Sequence, residues 1–389
     1  FDVAAQRAFI MLAVVLAAVM LDRPALTMRS VAVAALAILA VAPESLMLAG
    51  FQISFAGSIA LIAAFEALRG PAWWQATGAD WRWRLARPVL AVFITSLVAG
   101  VATAPYSAFH FNVLGQYGLL ANLLAMPAMG LMVMPAAVLA MFLAPVGLDG
   151  LAFTVMGWGI GYVLAVAGWV AGLGGAALGV PAGPAASLGL LSLGGLFLLL
   201  WRGRGRWAGL APVAAGAALW AAADRPDLLI ADDGRLFGIA TPAGRVLSAP
   251  EGHGFEAASW LEDDGDLASQ GEAHARGGLE RRRHRIETSV PGLGRLVYVG
   301  SRYATAAAAE CAAAAVLIAP NWERAPEGRC LFVGRERLAR DGALAIRITG
   351  GGLAVEAARA SGRPWSGIPP RDASDVRVAR MGMRARPGK

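Results

Sequence analysis

Lysine is almost missing from this chain, since 33 of its 34 basic residues are Arg and the only Lys is the terminal Lys389. That excludes a phosphate-loop lysine, a Schiff-base lysine and a lysine general base, and with them a nucleotide-driven motor inside these residues. Histidine is nearly as scarce, with four in 389 residues. Charge of either sign is low: 16% of residues are charged against 57% hydrophobic, too apolar a balance for a soluble enzyme of this length. The deficit is local. The first 223 residues hold ten Arg and six acids, whereas the remaining 166 hold 24 Lys+Arg and 21 acids. One part therefore has the composition of a bilayer-embedded protein and the other that of a water-soluble domain. Their net charges, +4 and +3, are too small for a surface that coats nucleic acid. The first residue is Phe1, with no charged leader and no cleavage site, so the chain reads as a piece of a longer protein cut before that point.

Eight apolar runs approach the roughly 20 residues needed to span a bilayer: about 4–21, 30–48, 51–68, 88–104, 119–143, 151–172, 185–201 and 207–223. Pro43 and Glu44 interrupt the second, and Pro127 and Pro135 predict kinks or breaks in the fifth. Arg23 and Arg29, then Arg69, Arg82, Arg84 and Arg87, then Arg202, Arg204 and Arg206 all fall on odd-numbered connections; the even ones contain none. By the positive-inside rule the odd face is cytoplasmic, and the chain emerges after Ala223 on the extracytoplasmic side. The connection with Trp73, Trp74, Trp81 and Trp83 among its arginines suits a helix lying in the headgroup layer, and the same residue types would also serve a nucleic-acid platform.

Polar side chains are costly in hydrocarbon, so those inside apolar runs tend to face a neighbour or a wet path. Gln6 and Arg7 lie in the first run and Gln52 and Ser54 open the third. Tyr106, Ser107, His110, Asn112, Gln116, Tyr117 and Asn122 form the densest patch. Each has a plain structural reading as well: Ser and Thr bond their own helix carbonyls, Arg7 marks a helix end, and Gly157, Gly159 and Gly161 suit close helix packing.

Four stretches, taken in order, resemble the competence domain of the ComEC family. They are Ala5-Gln6-Arg7-Ala8-Phe9-Ile10-Met11, Ala42-Pro43-Glu44-Ser45, Gly50-Phe51-Gln52-Ile53-Ser54-Phe55-Ala56, and Tyr106 to Pro127 with its His110-Phe111-Asn112 and Ala121-Asn122-Leu123. The resemblance covers about residues 1–223. It implies an inner-membrane channel that carries single-stranded DNA inward during natural transformation, without base specificity and without a cofactor. A periplasmic DNA receptor would feed it, and a cytoplasmic helicase or strand-coating proteins would pull. An oligomer is compatible with such a channel. Gln6, Arg7, Gln52, Ser54, His110, Asn112 and Asn122 are the candidate pore-lining residues.

Many members of that family carry a carboxy-terminal metallo-β-lactamase-like nuclease. A two-zinc hydrolase of that type needs a His-x-His-x-Asp-His cluster, and after residue 223 there are only His253, His274 and His284, none at ligand spacing. The tail is therefore expected to be a degenerate, metal-free relative of that domain, with no catalytic residues. Runs at Leu228 to Ile230, Leu236 to Ile239, Leu296 to Val299, Val316 to Ile318, Leu331 to Val333 and Ala345 to Ile348 read as strands, and an alanine-rich helix is expected near 304–315. Arg281-Arg282-Arg283-His284-Arg285 reads as a solvated loop or a phosphate contact. Cys311 and Cys330, the only cysteines, would be free to form a disulfide on the extracytoplasmic side.

The expected architecture is thus a polytopic α-helical membrane bundle over 1–223, about eight spans with some broken or re-entrant. A small α/β or α+β extracytoplasmic domain over 224–366 and a disordered tail over 367–389 follow. Two other functions fit the same composition. A secondary transporter for a small solute would use a broken helix and Glu66, although no inverted repeat is visible; a structural anchor for the second domain would tolerate loss of the polar groups.

Overall fold

The computed structural model describes residues 3–20, 27–68, 81–283, 285–300, 311–312, 314–328, 330–349 and 352–359. The expected disordered tail and most of the expected helix at 304–315 lie outside them, as do most of the Trp-rich connection and the side chains of Gln6 and Arg7. The chain divides into two compact units, Phe1–Ala223 and Asp224–Lys389.

The first unit begins with α1 (Val3–Met20) and α2 (Met28–Val41). Thr27 caps α2 by accepting from the Ser30 amide at 3.2 Å. Pro43 then turns the chain through a 3-10 segment, Pro43–Met47, into α3 (Ala49–Leu68). α4 (Trp81–Phe111) carries Pro88 and Pro105 inside it. The short strand β1 (Val113–Gly115) leads to α5 (Gly118–Ala128), which passes through a π-helical turn, Met129–Val133, into α6 (Met134–Leu143). After α7 (Asp149–Ala171) come β2 (Ala177–Gly179), α8 (Ala185–Leu200) and α9 (Leu210–Ala221).

The eight expected spans are not supported. Among the described residues four segments are long and apolar enough to cross a bilayer: Ala49–Leu68, Ala86–Phe111, Gly118–Val146 and Asp149–Ala171. At about 1.5 Å per residue, α2, α8 and α9 rise only about 21, 24 and 18 Å, short of the roughly 30 Å hydrocarbon layer. Pro43 truncates α2, and Gly203, with φ 80°, turns the chain after α8. The expected break at Pro127 and Pro135 takes the form of the π-helical turn between them, and the helix runs on.

Small residues set the helix spacing. A Cβ on Gly194 of α8 would stand 2.7 Å from the Gly209 carbonyl oxygen, and one on Gly216 of α9 would stand 2.8 Å from that of Ser187. α8 and α9 are therefore an antiparallel hairpin in backbone contact. Gly159 of α7 lies against the π-helical turn, where a Cβ would meet Val133 Cγ2 at 2.7 Å. Gly157 and Gly161 face open space, so of the three glycines only Gly159 makes the close approach.

The second unit is β-rich. Its first sheet is antiparallel throughout, in the order β12 (Gly352–Ala357), β11 (Leu344–Thr349), β3 (Leu228–Ile230), β4 (Phe237–Thr241) and β5 (Gly244–Leu247). The second sheet runs β10 (Leu331–Gly334), β9 (Val316–Ala319), β8 (Gly294–Val299), β7 (Arg285–Val290) and β6 (Glu280–Arg282), parallel at its first two pairings and antiparallel at the rest. Leu228, Ile230 and Ile346 from one sheet share a core with Leu296, Val316 and Ile318 from the other, so the sheets pack face to face. Alternation explains the second face: Leu236 and Leu247 turn the other way, onto Ala257 and Leu261 of α10 (Gly254–Asp263) and Ala273 of α11 (Gln270–Ala275). A last helix, α12 (Arg335–Asp341), links β10 to β11.

All six expected strands are present. The arginine cluster expected in a loop is instead a hairpin, because Arg281 pairs with Ile286 and Arg282 with Arg285 in the β6–β7 ladder.

Candidate functional site

The polar residues of the first unit gather where α3 starts and α4 ends. α3 and α4 lie side by side and antiparallel, which brings Gln52, one turn into α3, to His110, in the last turn of α4. His110 Nε2 lies 2.8 Å from Gln52 Oε1, and Gln52 Nε2 donates to the Leu46 carbonyl at 2.9 Å. With the amide nitrogen committed to Leu46, its oxygen faces the imidazole, so Nε2 carries the histidine proton in this arrangement.

Asn112 ends α4. Its φ of 54° is in the left-handed region, which Asn tolerates better than most residues, and its Nδ2 donates to the Val180 carbonyl at 3.2 Å. The Val180 amide returns a bond to the Asn112 carbonyl at 2.7 Å. From there β1 and β2 pair antiparallel, Val113 with Gly179 and Gly115 with Ala177, and Tyr117 donates its hydroxyl to Gly174 at 3.1 Å. Two irregular connections thereby satisfy each other's backbone groups, the condition for non-helical chain in a membrane protein. Trp220, near the end of α9, donates to the Pro181 carbonyl at 2.8 Å and stands edge-on to Phe109 at 5.9 Å. The chain thus leaves the first unit at the same end as this polar cluster.

A cavity of about 560 Å³ opens between α2, α3, α4 and α8. Val31, Leu39, Phe51 and Phe55 give it apolar walls, and its polar lining is Gln52, His110, Tyr106 and Ser192. The Tyr106 hydroxyl donates to Ser192 Oγ at 3.0 Å, and Ser192 in turn donates to the Leu188 carbonyl at 2.7 Å. The cavity sets four hydrogen-bonding side chains on an apolar surface, with no Asp, Glu, Lys or Arg in its lining.

Of the sequence candidates, Gln52 and His110 come together in this cavity, and Asn112 lies two residues beyond His110, bonded to Val180. Ser54 and Asn122 are exposed and apart from the cluster. Gln6 and Arg7 lie on the α1 backbone with side chains outside the described residues. Thr95 and Thr103 bond the carbonyls of Ala91 and Ala99 in their own helix, each at 2.8 Å. Ser192 and Trp220 are functional-site neighbours that the sequence reading did not single out; each shares its apolar run with another residue of its kind, Ser187 and Trp207, so nothing marked it out.

In the second unit, His253 Nε2 lies 3.4 Å from Asp233 and His274 Nδ1 lies 3.0 Å from the Leu247 carbonyl oxygen. Among the described residues no three His, Cys, Asp or Glu side chains converge as a metal-ligand set. Cys311 and Cys330 are joined by a disulfide, with Cα atoms 5.2 Å apart.

A family model described as "Competence protein" matches residues 1–205, which hold the whole cavity and its polar lining. No curated protein and no solved structure matches the chain.

Proposed function

The chain belongs to the competence protein family, whose role is in DNA uptake for transformation, and from that premise we propose that its first unit conducts single-stranded DNA across the bacterial inner membrane. The observation that carries this reading is the cavity between α2, α3, α4 and α8, where His110–Gln52 and Tyr106–Ser192 put polar groups among apolar walls. Aromatic faces and neutral hydrogen-bonding groups suit a strand that must be held weakly at many points and released. Force comes from elsewhere, since no nucleotide-binding lysine exists in the chain: a cytoplasmic helicase or strand-coating proteins, with a periplasmic receptor presenting the DNA. The chain itself acts without catalysis or cofactor, alone or as an oligomer.

The ends of the first unit support one orientation. Arg82 and Arg87 lie at the start of α4, Arg29 at the start of α2, and Arg202, Arg204 and Arg206 at the turn between α8 and α9. All of these are at the end opposite His110 and Trp220, so the arginine end is cytoplasmic and the polar cluster opens outward. The chain then continues after Ala223 into an extracytoplasmic second unit, where the Cys311–Cys330 disulfide suits the oxidising compartment. We read that unit as a metal-free, degenerate metallo-β-lactamase-like domain.

The test replaces the polar lining by isosteric apolar groups, Gln52→Leu with His110→Phe, in cells that depend on this chain for transformation. Transformation by added DNA is expected to fall towards the level of a deletion strain while growth and protein abundance hold. Undiminished transformation would remove the cavity from the strand's path. A growth defect relieved by one nutrient, with DNA uptake intact, would favour a solute transporter.

A further inference from the structure

We propose that the β6–β7 hairpin of the second unit is a contact for the phosphate backbone of nucleic acid; the choice of polyanion rests on the DNA-uptake reading above. Several arginines of this unit are matched to carboxylates, among them Arg245 with Asp264, Arg276 with Asp266 and Arg347 with Glu356. At the hairpin tip they are not. Arg281, Arg282 and Arg283 are consecutive and exposed, and none of them makes an ion pair among the described residues. Arg281 Nη2 stands 2.9 Å from His274 Nδ1, which also lies 3.0 Å from the Leu247 carbonyl oxygen.

The ladder also works against its own stability. Arg282 sits directly across from Arg285, and Glu280 across from Glu287; like charges in directly opposed positions repel. Glu287 is drawn instead to Arg285 and Arg295, which leaves the exposed Glu280 as the one acid set against Arg281, Arg282 and Arg283, and the tip keeps a net positive charge. A charged edge strand also blocks edge-to-edge association, but a single cation would suffice for that.

Lipid headgroups are the other polyanionic surface within reach. A segment that lies on lipid sets apolar side chains beside its cations, as Trp81 beside Arg82 and Trp207 beside Arg206 do in the first unit. Residues 280–285 are Glu-Arg-Arg-Arg-His-Arg, with nothing to insert. The nearest apolar residues, Leu279 and Ile286, are packed against the core and not free to insert, so the cations of this hairpin fit a hydrated phosphate backbone, read without regard to base.

The full chain in phosphatidylcholine nanodiscs, titrated with fluorescein-labelled oligothymidylate over a salt series, tests this. Arg282→Ser with Arg283→Ser is expected to weaken binding by about tenfold and to make the plot of log affinity against log salt shallower by about 1.4, two phosphate contacts at roughly 0.7 each. Arg324→Ser, an exposed arginine elsewhere in the unit, is expected to change neither by that amount. Hydrogen exchange of residues 280–288 should slow on adding the oligonucleotide. Equal affinity and slope in the double variant, with its exchange elsewhere native, would overturn the proposal. So would protection that appears on changing the lipid to phosphatidylglycerol and not on adding DNA. Loss of transformation in the Gln52 and His110 variant with hairpin binding unchanged bears on the conduit alone, so the two readings fail separately.

Discussion

In the first unit the enclosed side chains are mostly small, among them Ala34, Ala60, Ala136, Ala140 and Ala152, while Leu131, Phe142 and Leu151 stand outside at 79%, 70% and 76% exposure. In the second unit the large side chains are the enclosed ones, Phe237, Leu228, Leu296 and Ile346, and the exposed large apolar residues among those described there are Phe255 and Leu267. Large apolar residues thus stand outside far more often in the first unit than in the second, although Phe51 and Phe55 are enclosed there. The difference follows from the solvent. Water drives Phe237 inward because apolar area is costly to hydrate; lipid tails are as apolar as leucine and give no such drive, so helices associate where small residues let backbones touch.

That contrast predicts opposite sensitivities. The largest effect is expected from enlarging a contact glycine in the first unit. A Cβ at Gly194 meets the Gly209 carbonyl oxygen at 2.7 Å and the Val213 amide nitrogen at 2.9 Å, so backbone bounds it on two sides and neither can swing away. Gly194→Leu should part α8 from α9, abolish a monodisperse membrane-extracted species and abolish transformation, whereas Gly195→Leu, whose Cβ meets nothing within 4 Å, should be tolerated. In the second unit the damaging direction is the reverse. Phe237→Ala should cost about 3–5 kcal/mol, read as a lower denaturant midpoint for exchange of β3 and β4 with α3 and α4 unchanged. If both substitutions damaged both units alike, the division into two packing regimes would be wrong.

How much of this was legible in the sequence follows the same physics. Polarity in an apolar run is a local fact, so Gln52, His110 and Asn112 were readable one by one. The meeting of Gln52 with His110 depends on α3 lying antiparallel to α4, which no local pattern encodes. Ser192 was unreadable because its bond to Leu188 in its own helix is the ordinary fate of such a serine, and only Tyr106, 86 residues away, makes it part of the cavity. Hydropathy scores apolarity without measuring helix length between breakers, which is why α2, α8 and α9 were read as spans. In the second unit, continuous apolar runs such as Val316 to Ile318 declared themselves. β7 did not, because it opens in the arginine cluster and only its last residue, Val290, is buried.

A smaller effect should separate the units by pH. Arg276 hydrogen-bonds Asp266 and holds its carboxyl below the usual aspartate range, against the opposing pull of partial burial. Hydrogen bonds from Arg295 and Arg285 hold Glu287 low in the same way. A carboxylate whose folded value is depressed contributes stability that is complete above its unfolded value, about 3.9 for Asp and 4.3 for Glu, and is lost as the pH falls through the lower folded value. Asp263 has the opposite sign: burial first, then the neighbouring charges of Asp264 and Glu262, push its value up. Protonating it between its raised folded value and about 3.9 therefore favours the folded state slightly. The second unit should accordingly hold or gain stability as the pH drops towards about 4 and lose it below. Asp266→Asn should flatten the lower limb, and Asp263→Asn should remove the gain above it. The first unit, with six acids in 223 residues, should show little of either in segment-resolved hydrogen exchange. A parallel acid limb in α3 and α4 would mean that the two units unfold as one.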